Sequence, residues 1–124
     1  MKLLVLDDEY GIARLDATDP TPVWAALGSL SSVTRTAEEL SIVCATAAIP
    51  TDVLAERGWR CLRVAGRLDF SLTGVLSSIA GPLAAANVSI FAISTYDTDY
   101  LLVRGESLGA VTKALSASGH QVVI

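Results

Sequence analysis

Apolar positions along the chain change period several times, and each change marks an element. Leu72, Val75, Leu76, Ile79, Leu83 and Ala86 recur at the spacing of one helical face, predicting an amphipathic helix of about four turns. Ser71 precedes it as an N-cap, Asn87 follows as a left-handed C-cap, and Pro82 is expected to bend or interrupt the last turn. Residues 88–94 are β-branched and apolar, which predicts a strand buried on both faces. A turn at 96–98 leads to a strand over 99–103. Ser107 then caps a second helix with Leu108, Val111, Thr112 and Leu115 on one face, and Gly119 ends it before a strand over 121–124. Upstream, residues 59–65 alternate in strand fashion, so this half reads strand, helix, strand, strand, helix, strand.

The first half repeats that order more weakly. It predicts a strand over 12–15, a short helix over 22–27 opening at Pro22, a hairpin of 32–36 and 40–45, and a helix over 50–57 stopped by Gly58. At an offset of 60 residues, 34–43 lies over 94–103 without a gap, hydroxyl on hydroxyl and Glu39 on Asp99. Two unequal units are therefore expected, a degenerate one at 1–58 and a fuller one at 59–124. Leu3 to Leu6 has no counterpart; it either pairs beside 12–15 through a turn at 8–11 or extends a sheet edge.

Composition narrows the function classes. The 124 residues are 52% hydrophobic and 18% charged, with 9 basic against 13 acidic side chains and a net charge of −4. This suits one compact body and disfavours a nucleic-acid binder, which needs a basic face. Residues 70–96 carry no charge over 27 positions, long enough to cross a bilayer, but the run holds many hydroxyls, two glycines and a proline, and its period changes midway. No membrane association is expected. The short apolar stretch after Lys2 runs into Asp7, Asp8 and Glu9, which is not an export signal, so a cytoplasmic location is expected. Cys44 and Cys61 lack metal or disulfide spacing and read as reduced core thiols.

The inventory for catalysis is thin. The single histidine, His120, has no triad partners nearby, no metal-ligand spacing exists, and no glycine-rich phosphate loop is present, so neither an enzyme nor a cofactor is expected. Asp7, Asp8 and Glu9 read as a solvated turn. Two polar strings remain where the fold would favour apolar residues. Asp69 to Gly74 leads into the long helix with the Ser71 and Thr73 hydroxyls, suiting an anion, or it is ordinary capping. Residues 94–100 form a second string of hydroxyls and carboxylates at a strand junction, suiting a cation, or it is a turn. Placed a few ångströms apart, the two would suit a zwitterion such as an amino acid.

At these residues the sequence resembles the CASTOR-type ACT-like proteins, small stand-alone proteins of two ACT-like units. The likeness rests on 70–76, on Pro82-Leu83-Ala84 and above all on the string from Ile90 to Val103, with 32–36 and 39–43 resembling the first unit. It implies an α+β, ferredoxin-like βαββαβ arrangement in two tandem unequal repeats, with antiparallel sheets and helices on one face. It also implies a non-catalytic regulatory role, in which an amino acid bound at a module or dimer interface is signalled to a protein partner. Carried over, the effector site would comprise Ser71, Leu72, Thr73 and Gly74 with Ser94, Thr95, Tyr96, Asp97 and Asp99. Because the arginine-sensing relatives have four units, a complete site in this chain would call for a homodimer. The alternative is a ligand-free dimerisation or protein-interaction module.

Overall fold

A computed structural model describes residues 1–69 and 72–124. Among these residues seven strands and two α-helices follow in the order β1 (Lys2–Leu15), β2 (Ser32–Arg35), β3 (Leu40–Ala45), β4 (Ala55–Val64), α1 (Val75–Ala85), β5 (Ile90–Ser94), β6 (Asp99–Arg104), α2 (Leu108–Ala117) and β7 (Gln121–Val123). The class is α+β and ferredoxin-like. The chain divides into two units, one of Met1–Leu6 with Arg60–Ile124 and one of Asp7–Trp59, so β1 and β4 each change unit partway along.

In the larger unit, β4, α1, β5, β6, α2 and β7 make the βαββαβ succession. Hydrogen-bonded neighbours run β7, β1, β4, β6, β5, with the first half of β1 inserted between β7 and β4. It runs parallel to β7, with Lys2 opposite Gln121 and Leu4 opposite Val123. The reason lies in period-2 burial: Leu3 and Val5 share one face and join Leu62, Val64, Leu101 and Val103 beneath Ile79, Leu83, Val111 and Leu115 of the two helices. Both helices thus cover one face of the sheet. Leu3 to Leu6 is therefore an interior strand of this unit, neither an edge nor a hairpin partner of 12–15.

Helix α1 opens later than its apolar spacing predicts. It begins at Val75 behind Gly74, whose φ of +76° suits glycine, and no side chain among the described residues caps it. Leu72 lies outside the helix and is exposed, while the expected cap Ser71 falls outside the described residues. The helix continues through Pro82, which has no amide to offer the Ser78 carbonyl; that carbonyl meets His120 Nε2 at 3.1 Å instead. Asn87 follows in the left-handed region at φ +60°, as expected of a C-cap. Strand β5 pairs with β6 alone and is an edge; its residues are half-buried or exposed rather than buried on both faces. Ser107 forms part of a 3-10 turn ahead of α2 and makes no side-chain cap.

The smaller unit has neighbours in the order β2, β3, β1, β4, which is the same second, third, first, fourth arrangement that β5, β6, β4 and β7 show in the larger one. Single 3-10 turns at Val23–Ala26 and Thr46–Ala48 stand where the larger unit has helices. Its core gathers Ala13, Ala25, Leu40, Ile42, Cys44 and Ile49. The turn expected at Asp8 to Gly11 is absent, and β1 runs unbroken because Tyr10 is fully buried and bonded to Ser29 Oγ at 2.7 Å, while Asp8 accepts from the same hydroxyl. The helix expected over 50–57 is likewise replaced. One turn closes between Pro50 and Val53, the Arg57 guanidinium donates to the Pro50 carbonyl at 2.9 Å, and β4 begins at Ala55 with Gly58 at φ +84° inside it. No helix among the described residues is long and apolar enough to cross a membrane.

Candidate ligand site

In the larger unit, the connection leaving β4 and the turn joining β5 to β6 are tied together by backbone and side-chain bonds. Leu68 N donates to Asp97 O at 2.6 Å, and Thr98 Oγ1, 4% exposed, donates to Val64 O at 2.8 Å. The turn closes on itself. Thr95 N and Oγ1 both donate to Thr98 O, at 2.8 and 3.0 Å, and Thr98 N donates back to Thr95 Oγ1 at 3.3 Å. Such local bonds are what Thr and Asp supply at turns, so the polar string has a structural task as well as any binding task.

Between these segments lies a cavity of about 170 Å³. Leu68, Asp69, Leu72 and Val75 line one side and residues 94–99 the other. A second recess of about 400 Å³ adjoins it, sharing Leu68, Asp69 and Tyr96 and adding Arg67. The structure thus brings Leu72, Ser94, Thr95, Tyr96, Asp97 and Asp99 to one cavity. Thr73 and Gly74 are exposed beside it without lining it, and Ser71 lies outside the described residues.

Charge is unevenly shared. Among the described lining residues, Asp69, Asp97 and Asp99 face a single cation, Arg67. Asp99 accepts a hydrogen bond from Ser94 Oγ at 2.7 Å. Arg67 Nε meets Asp97 Oδ1 at 3.1 Å, and the guanidinium carbon sits 5.4 Å from the centre of the Tyr96 ring. Both charged side chains are about two-thirds exposed, so the pair is weak in water. Sequence reasoning passed over Arg67, yet a signal existed: it is the basic residue nearest the acidic string on its N-terminal side.

Burial holds both thiols protonated, pushing Cys61 up to about 12 and Cys44 in the same direction, which makes them core residues. Among the described residues, no three His, Cys, Asp or Glu side chains are grouped to hold a metal.

The ACT domain family matches residues 54–117, more than half of the chain. The chain belongs to the ACT domain family. A second family, an N-terminal domain, matches residues 8–52. This ACT protein is 39% identical over 71 residues to the human cytosolic arginine sensor for mTORC1 subunit 1; the match takes in 53% of this chain and 22% of the sensor's length. A crystal structure of an Agrobacterium tumefaciens protein is similar across 98% of this chain and 91% of its own, with 43% identity and a TM-score of 0.94. The regulatory subunit of aspartate kinase from Thermus thermophilus shares the fold, at 10% identity and a TM-score of 0.64 over 92% of this chain and 96% of that one.

Proposed function

We propose that this ACT protein is a non-catalytic regulator that binds an amino acid, and that the amino acid is cationic. The carrying observation is the lining of the cavity, where three carboxylates and one aromatic ring oppose a single guanidinium. A ligand with net positive charge offsets that imbalance, and a zwitterionic head group finds hydroxyls and backbone groups close by. The relative's description as an arginine sensor supports the same reading. The effector site then comprises Leu72, Ser94, Thr95, Tyr96, Asp97 and Asp99, with Thr73 and Gly74 beside it, in a cytoplasmic homodimer that passes occupancy to a protein partner through differential affinity for two states.

The test is a thermal shift against the twenty amino acids. A ligand at 100 times its Kd adds about 2.7 kcal/mol of stability, an unmistakable rise in Tm. Arginine or lysine should give it and aspartate or leucine should not; a flat response to all twenty sinks the reading.

A second reading, a ligand-free interaction module, draws on β5. Ile90–Ser94 is an uncharged edge strand without proline, the kind that pairs with another chain. Charging its outward side with Ala92→Lys would then dissociate the dimer, seen by sedimentation, and no amino acid would alter Tm.

A further inference from the structure

The Arg67 side chain already occupies the place a cationic ligand would want. Its guanidinium lies over the Tyr96 ring and on the Asp97 carboxylate, and delocalised cations favour that combination of a π face and a planar anion. Arg67 lines the outer recess and Asp97 the inner cavity, so their contact stands where the two spaces adjoin. The contact also links the two segments that frame the site, since Arg67 leaves β4 and Asp97 belongs to the turn before β6.

We infer that Arg67 is an internal competitor and the residue that sets specificity at this site: it fills a guanidinium subsite made of Tyr96 and Asp97, and a cationic ligand binds by displacing it. The inference rests on the amino-acid reading above and adds a mechanism to it. Apparent affinity is reduced by the fraction of molecules whose subsite is open. An exposed ion pair plus a ring contact is weak enough to be displaced and strong enough to matter, holding the subsite closed in about four molecules of five. A neutral amino acid has no delocalised cation to set on the Tyr96 ring and the Asp97 carboxylate together, so it displaces Arg67 poorly; a ligand carrying a guanidinium regains both contacts.

The experiment is calorimetric titration of the full chain with L-arginine, for the native protein, Arg67→Gln and Arg67→Lys. Because Arg67 is mostly exposed, neither change threatens the fold. Removing the competitor should tighten arginine binding about fivefold, equivalent to ~1 kcal/mol, whereas Arg67→Lys, which keeps the charge but not the planar guanidinium, should fall between native and Arg67→Gln. If the native protein binds arginine and Arg67→Gln binds it equally or more weakly, Arg67 is no competitor, and the cavity assignment survives alone. If neither protein binds arginine, lysine or agmatine, the cavity reading falls and the competitor role falls with it.

Discussion

His120 donates from Nε2 to the Ser78 carbonyl at 3.1 Å, supplying the hydrogen bond that Pro82 withholds from α1. A carbonyl only accepts, so the imidazole proton sits on Nε2. His120→Ala should cost about 1 kcal/mol in a urea titration. In a Pro82→Ala background the helix regains its own donor, and the same change should cost less. A full cycle showing no coupling between the two positions would refute the compensation.

Thr98 fastens the candidate site. Its hydroxyl is buried and donates to Val64 O at 2.8 Å, so Thr98→Val keeps the shape while stranding a carbonyl. The expected loss is about 1–3 kcal/mol of stability, with weaker arginine binding because the turn is released from β4. Denaturation and calorimetry of one variant check both effects.

Asp97→Asn removes the charge on which both Arg67 and a cationic ligand depend. Binding of arginine should fall severalfold, while stability changes by less than about 1 kcal/mol because the pair is exposed. A large stability loss with unchanged affinity would reverse the role assigned to this side chain.

Asn87 holds φ +60° at the end of α1. Asn87→Ala should destabilise by about 1 kcal/mol and Asn87→Gly should be close to neutral, because alanine keeps the crowding Cβ while losing the amide that eases that conformation, and glycine has no Cβ. Paired melting curves give the answer directly.

Both cysteines should resist a thiol reagent at pH 8 in the native state and react fully in guanidinium. Burial raises both thiols, Cys61 to about 12 from 9.0, so the folded state keeps protons that the unfolded state releases. Stability is accordingly unaffected below pH 9 and declines as pH rises from there toward 12.

The succession of strands and helices after residue 59 was legible because its apolar residues change from period 2 to period 3.6 at each boundary. The start of α1 was not. Leu72 fits the helical face by spacing, but Gly74 at positive φ sets the helix entry, and no periodicity reports a dihedral angle. Residues 50–57 misled for a different reason: a side chain of the segment decides between turn and helix there, since the Arg57 guanidinium takes the Pro50 and Val53 carbonyls that a helix would have used. Of the site, the two polar strings stood out as hydroxyls and carboxylates at apolar places. Arg67 did not, because its meaning comes from Tyr96 and Asp97, about thirty residues away in sequence and adjacent only in the fold.

The insertion of β1 between β7 and β4 fixes an order of assembly. Lys2 pairs with Gln121, so the sheet of the larger unit closes only once β7 has left the ribosome, whereas Asp7–Trp59 is one contiguous stretch and can organise early. Until then the apolar face of Leu3 and Val5 has no parallel neighbour on one side. That contact joins residues about 120 apart in sequence, so closing it costs more chain entropy than any local pairing. The cavity, lined by residues after β4, lies in the unit that this contact completes, so its frame is finished after that of the smaller unit.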